Sequence, residues 1–406
     1  MMGRRMKNPR VIIFVLGLAG LLASCAPGPN QPTSFQGSGF ATHGAVDYFN
    51  RLHAFTVGPN STYTLTEITE RAAEIVANAE VSLDVALEHF ESPELAQYLI
   101  AAAARGIKVR VIGDVDRRAQ DGFRLLESAG IEVVYGDGAV TWQAVFGREL
   151  VQRTGEDNLM THNFIIADRL RILNLTGGFA LDGDEGVQAG FIAASEDLAK
   201  DFGDCFDQLH GGIFATAQTF YDDSVSADTN NRTSYPIEDG VVELYFGPQE
   251  RLVKEVIDRI YAAKTSVYIA TTELKNREMA RALRYKAEAE FDVKIVLAGP
   301  PAIPMTGIEN IRTNADVDGT VIVIDGRART PGGLLHPGSV MVLSMPLFEA
   351  VPYYFDDAGE EDPLPQPSDR FTDANMWVMD QNLVNPNQDY AVLARSFDQL
   401  FESGVQ

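Results

Sequence analysis

Met160-Thr161-His162-Asn163-Phe164-Ile165-Ile166-Ala167-Asp168 and Asp318-Gly319-Thr320-Val321-Ile322-Val323-Ile324-Asp325-Gly326 are two versions of one device. In each, a short apolar run delivers an Asp to a turn, and Asp325-Gly326 is a turn pair in its own right. The apolar runs are too short for helices and read as buried strands. Two strands that end alike in one chain point to an internal repeat.

The repeat extends upstream. Ser82-Leu83-Asp84-Val85-Ala86 lines up with Ser266-Val267-Tyr268-Ile269-Ala270. Leu95, Ala96 and Leu99 line up with Met279, Ala280 and Leu283, and Val109-Arg110-Val111-Ile112 with Val293-Lys294-Ile295-Val296. One sequence offset serves all three blocks, and Gly58-Pro59 echoes Gly247-Pro248. Apolar spacing predicts helices over 68–79 and 252–263, then strands over 81–87 and 266–270. Further helices are expected over 93–105 and 277–289, the first opened by Ser92-Pro93 and closed by Gly106. The β-branched runs 108–112 and 293–297 are strands buried on both faces. A strand–helix–strand crossover of this length places the two strands parallel. Phe191-Ile192-Ala193-Ala194 followed by a helix over 198–210 closes one half. Tyr390-Ala391-Val392-Leu393-Ala394, read as a strand before an amphipathic helix with Phe397 and Phe401, closes the other.

This order of elements resembles the phospholipase D superfamily, whose signature H-x-K-x-x-x-x-D occurs twice per enzyme. The likeness covers roughly residues 45–405 and implies an α/β fold. It would be a phospholipase D-like fold of two pseudo-twofold related repeats, each a mixed, largely parallel sheet flanked by helices. Met160, Phe164 and Asp168 fit the first motif, and Val321, Ile324, Asp325 and Gly326 the second. The family's His and Lys positions hold Thr161 and Asn163 in the first copy, and Asp318 and Thr320 in the second. The phosphate-binding Gly-Ser-x-Asn that follows each motif in the family is replaced by Gly177-Gly178-Phe179-Ala180 and Leu343-Ser344-Met345-Pro346. Gly177, Gly178 and Ser344 are what remains of it.

The resemblance implies a definite chemistry for those positions. One His attacks phosphorus, the other protonates the leaving alcohol and then activates water, and the Asp orients its His. Covalent catalysis needs a nucleophile with a free lone pair. Two Lys neutralise the phosphoryl oxygens, the kind of electrostatic contribution that dominates such sites. Thr, Asp and Asn can do neither job, and Asp318 and Asp325 at one mouth would repel phosphate. The expectation is a chain with a degraded site that binds a ligand, such as one carrying phosphate, or serves a structural role. The alternative is an active phosphodiesterase that cuts phospholipid or nucleic-acid diesters through a site rearranged around His162. Strand alternation opposes it, because His162 should point away from Thr161 and Asn163. His336 lies in a Gly/Pro-rich insertion and reads as a loop residue. His43, His53, His89 and His210 show no metal-ligand spacing, so neither a metal nor a cofactor is expected. Trp142 and Trp377 read as core or rim, and the acidic run 356–362 as a solvated loop.

Outside the repeats, Arg4, Arg5, Lys7 and Arg10 precede an apolar run from 11 to 22, shorter than a bilayer span. It ends in Leu22-Ala23-Ser24-Cys25, which resembles a bacterial lipobox. That resemblance implies that Cys25 is lipidated and anchors the chain in the cell envelope. Ala26 rather than Asp after Cys25 points to the outer membrane, with the body facing the periplasm or the surface. Residues 1–24 are then a signal peptide and 25–40 a Pro/Gly/Ser/Gln tether. Residues 41–218 and 241–406 are the repeats, with a polar linker at 219–240 between them. The two Cys, Cys25 and Cys205, make no disulfide framework, and Cys205 is expected to pack. A net charge of −24 disfavours nucleic acid as a partner and adsorption to anionic lipid, though it leaves room for a local basic site. The oligomeric state is not written in these residues.

Overall fold

The computed structural model describes residues 51–136, 159–180, 186–214, 234–237, 240–247, 250–326, 338–345, 347, 372–380 and 388–405. Cys25 with the signal and tether segments, His43, Trp142, Pro248, His336, most of the 219–240 linker and the 356–362 run lie outside the described residues. Residues His43–Gln406 make one compact unit.

The first half runs β1 (Leu52–Val57), α1 (Leu65–Ala77), β2 (Ser82–Leu87), α2 (Pro93–Ala104), β3 (Lys108–Asp114), α3 (Asp121–Ser128), β4 (Val133–Gly136), β5 (Leu159–Met160), β6 (Asn163–Ala167), β7 (Arg171–Leu175), β8 (Gln188–Ala194) and α4 (Glu196–His210). The second runs β9 (Ser234–Ile237), β10 (Gly240–Phe246), α5 (Leu252–Ala262), β11 (Ser266–Thr271), α6 (Arg277–Glu288), β12 (Asp292–Leu297), β13 (Asn310–Thr313), β14 (Thr320–Ile324), β15 (Ser339–Leu343), β16 (Thr372–Asp373), β17 (Asn375–Asp380) and α7 (Gln388–Ser403). Local chemistry sets the helix starts. Thr64 and Glu67 form a reciprocal capping box on α1, while Ser92 and Asn276 accept from Leu95 N and Met279 N on α2 and α6.

The strand order is β1-β8-β7-β6-β2-β3-β4 in one sheet and β13-β12-β11-β14-β15-β17-β10-β9 in the other. The crossover pairs are parallel in matching register, Ser82 opposite Lys108 and Ser266 opposite Asp292. The sheets are mixed as expected, but the parallel share is smaller. Within these two sheets, among the described residues, only β2-β3-β4 and β11-β12-β13 run parallel, because β6-β7-β8 and β14-β15-β17 return through antiparallel pairings. A second correction concerns the chain's end. Residues 390–394 belong to α7, and the strand before it is β17, which lies between β15 and β10. Tyr390, Leu393, Ala394, Phe397 and Leu400 follow helical spacing and bury one face.

Three apolar clusters fill the body. One lies under α1–α3 and one under α5 and α6. The third joins the inner faces of both sheets with α4 and α7, and includes Phe164, Phe191, Phe202, Phe246, Trp377 and Phe397. Each fully buried Leu or Phe contributes roughly 1.5–3 kcal/mol, against about 0–1 kcal/mol for an exposed ion pair. The apolar filling therefore dominates. The halves solve one shared problem differently. The carbonyls of Ala77 and Ala79 at the end of α1 accept from Arg105, and their repeat equivalents on Tyr261 and Ala263 accept from buried Lys286.

Candidate functional site

Antiparallel pairing of β6 with β2 puts Asn163 opposite Leu87 at one end and Ala167 opposite Leu83 at the other. The motif thus has a near end, carrying Thr161 to Asn163, and a far end, carrying Asp168. In the second half β14 pairs with β11 likewise, with Ala270 opposite Val321 and Val267 opposite Ile324.

At the far ends the two Asp residues do the same work. Asp168 accepts from the backbone N–H of Glu80, Val81 and Ser82, with Val81 N at 2.7 Å from Oδ1. Asp325 accepts from Lys264, Thr265 and Ser266, with Thr265 N at 2.7 Å, and also from the Thr265 hydroxyl. Both Asp residues sit in the left-handed region at φ 56°. Each carboxylate gathers the three amides that lead into β2 or β11. This differs from the role the resemblance implies, since the carboxylate faces backbone rather than an imidazole. Asp318 and Asp325 do not share a mouth either. Seven extended steps separate them, roughly 20 Å.

At the near ends the side chains are buried and engaged. Asn163 is fully buried, and its Oδ1 accepts from Glu88 N at 3.0 Å. Thr320 bonds the Thr271 hydroxyl at 2.8 Å and donates to the Met345 carbonyl at 2.7 Å. Thr161 is buried beside them. Asp318 crosses to the first half, where its amide donates to the Val187 carbonyl and the Thr176 hydroxyl donates to its carbonyl. Burial pushes the Asp318 carboxyl up, and hydrogen bonding from Gln188 and the field of His89 offset part of the rise. Glu88, next to Asn163, is pushed up to about 8 by burial, with the Asp114 and Asp318 carboxylates adding to the rise. This corner is acidic where a phosphodiesterase needs cations.

His162 lies in the core between the sheets. It is fully buried, its Nδ1 accepts from Asn375 Nδ2 at 3.1 Å, and its Nε2 is 3.6 Å from Cys205 Sγ. Asn375 and Asn174 exchange reciprocal bonds of 3.2 Å across the halves. Burial lowers the imidazole pKa to about 3, so the ring is neutral. Its edge packs on Phe164 and its flank on Phe246. No sequence pattern announced this Cys205–His162–Asn375–Asn174 chain, whose members come from α4, the link between β5 and β6, β17 and β7.

The remnants of the phosphate loop are packed tight. A Cβ on Gly178 would stand 2.1 Å from the His89 carbonyl oxygen, and one on Gly177 would stand 2.8 Å from Asp318 Oδ2. The Ser344 hydroxyl accepts from Asn375 N at 3.0 Å, as the Thr176 hydroxyl accepts from Ala189 N. Thr176, one residue before Gly177, is therefore the structural counterpart of Ser344. Counting from the end of β7, as from the end of β15, would have found it. His53 contacts the Tyr63 hydroxyl, His89 pairs with Glu91, and His210 stacks on Phe206. Trp377 is core. Among the described residues no group of three or more His, Cys, Asp or Glu side chains is placed to hold a metal ion.

With this geometry in view, the comparisons are informative about fold. No protein-family profile matches the chain, and no curated protein matches it in sequence. Among the solved structures that resemble it in shape are two with similar coverage of this chain. A phosphatidylserine synthase from Haemophilus influenzae Rd KW20 superposes with a TM-score of 0.52 at 10% identity, covering 84% of this chain and 85% of its own. A polyphosphate kinase from Porphyromonas gingivalis gives 0.51 at 13% identity, covering 87% of this chain and 47% of its own. The chain thus spans about half the length of that kinase. The fold is phospholipase D-like. Within that fold, the far-end Asp of each motif strand is present in this chain, and the near-end His and Lys are not.

Proposed function

We propose that this chain is a phospholipase D-like protein that does not hydrolyse phosphodiesters and works as a binding or structural module at a membrane. It is held there through lipidated Cys25, with the outer membrane of a cell envelope as its place. The observation that carries the loss of activity is the engagement of every near-end position. Asn163 and Thr320 are spent on backbone and hydroxyl partners, and Asp318 is drawn into the opposite half. The reading built on His162 loses support for the same kind of reason. A fully buried neutral imidazole bonded to Asn375 has no route to a phosphorus atom. Among the described residues no helix is long and apolar enough to cross a membrane, and the proposed anchor rests on residues 11–25.

Two measurements test the two parts separately. The chain from residue 26 onward is incubated with a chromogenic phosphodiester, with and without divalent cations. No release above buffer is expected, whereas turnover abolished by His162→Ala would establish the phosphodiesterase alternative. Mass spectrometry of the membrane-extracted protein should find a diacylglyceryl adduct on an N-terminal Cys25. An uncut N-terminus or an unmodified Cys25 would remove the anchor.

A further inference from the structure

The chain carries a charge of −24, yet one helix face runs against that balance. On α6, Arg277, Arg281, Arg284, Tyr285 and Glu288 are all exposed, and their spacing puts them on one stripe. Exposed Tyr261 at the end of α5 stands beside it, with its ring 6.1 Å from that of Tyr285. Tyr285 is 59% and Tyr261 40% exposed, among the few large apolar side chains of the described residues left in solvent. Lys264 follows just beyond α5 and is also exposed. Lys286, 4% exposed under the Phe291 ring, donates to the Tyr261 and Ala263 carbonyls and so fixes α5 against α6. Acids also lie along this face: Glu278 holds Arg281 at 2.9 Å, Asp258 one turn before Tyr261 holds Lys254, and Glu288 and Glu290 are exposed at the end of α6.

The other half shows that the fold does not require this face. By the repeat offset, Arg277, Arg281, Arg284 and Tyr285 correspond to Pro93, Gln97, Ile100 and Ala101 on α2, and Tyr261 to Ala77. The same helix pair is built there without a cation or an aromatic ring on the stripe.

We propose that this basic, tyrosine-bearing face of α5 and α6 docks on the anionic headgroups of the membrane that carries the chain. Arginine presents several donors to phosphate oxygens at once. Tyrosine is suited to the headgroup boundary, where its ring meets apolar surface and its hydroxyl meets water. Tethering supplies the opportunity, and this part rests on the Cys25 reading above. Twenty-six residues separate Cys25 from Leu52, and an uncoiled Gly/Ser-like chain of that length would span roughly 30 Å, so an anchored body would stay close to the bilayer. The acidic remainder of the body does not forbid contact, because at physiological salt charges more than about 8 Å away are largely screened.

Vesicle flotation tests this without the anchor. The chain from residue 26 onward, which contains the compact unit His43–Gln406, is mixed with vesicles of phosphatidylcholine alone or with added phosphatidylglycerol. Flotation with the anionic vesicles only is expected, and it should be abolished by high salt. Arg281→Glu with Arg284→Glu should lower the partition by about tenfold or more, Tyr285→Ser should lower it less, and Gln97→Glu on α2 should leave it unchanged. All these substitutions are at exposed positions, and circular dichroism checks the fold. Absence of flotation, equal flotation on neutral vesicles, or insensitivity to charge reversal on α6 would overturn the proposal. Tighter binding to polyglutamate than to the anionic vesicles would overturn it in favour of an acidic protein partner. None of these results bears on Cys25, because the tested chain lacks its lipid.

Discussion

The two ends of each motif strand have fared differently. At the far ends, Asp168 and Asp325 are the same residue, at the same φ, gathering three consecutive amides. At the near ends, Thr161 and Asn163 in one half correspond to Asp318 and Thr320 in the other, with unlike partners. A group that seeds the edge of a buried strand serves the fold whatever the chemistry. The near-end positions, where the resemblance would place phosphate chemistry, are held in this chain by packing and hydrogen bonds. The contrast teaches that the Asp ending such a strand is by itself weak evidence for activity, because its hydrogen bonds are those of a fold-building residue.

The sharpest way to break this contrast is at the far ends. Asp325→Ala should cost about 3–4 kcal/mol in urea unfolding, since it strands buried amides. Asp168→Ala should cost less, because water reaches the amides of Glu80 and Val81. Asn at either position should recover much of the loss, because one oxygen, Oδ1, takes most of the bonds. Equal, negligible costs would mean that the Asp residues are not fold-building. Next in size is His162→Ala, expected at about 2–3 kcal/mol by the same method, from a cavity plus the lost bond from Asn375 Nδ2.

A pH dependence follows from Glu88. Its carboxyl is raised from its ordinary 4.5 to about 8 in the folded chain. A group raised in this way contributes stability that is fully present below about pH 4.5 and is lost as pH climbs through 8. Stability should therefore fall over that window, and Glu88→Gln should flatten the profile. A wild-type profile that is flat from pH 5 to 9 would show the carboxyl to be solvated. The smallest effect is at the near end of the second half. Thr320→Val should cost about 1 kcal/mol, read as a shifted urea midpoint, by removing the bonds to Thr271 and Met345.

Much of the architecture was legible in the residues because it is local and repeated. The shared offset of Ser82 and Ser266 correctly paired β2 with β11, and β-branched runs located β3 and β12. The misreading at Tyr390–Ala394 arose where a short apolar run satisfies both periods, and only the face it buries decides. Less of the site was legible. An Asp bonded to backbone amides leaves no trace of its partners in the sequence. The chain from Cys205 through His162 to Asn375 and Asn174 is assembled by two sheets meeting face to face. A count along the strand told that His162 alternates with Asn163, but not what its ring would find.

The imidazole of His162 offers the most direct test of whether any motif-strand histidine can reach phosphorus. Its titration, followed by NMR on the chain from residue 26 onward with and without inorganic phosphate, should show a ring that stays neutral down to about pH 3 and ignores phosphate. A midpoint near the ordinary 6.5 that moves upward when phosphate is added would place a working base in the cleft and contradict the account.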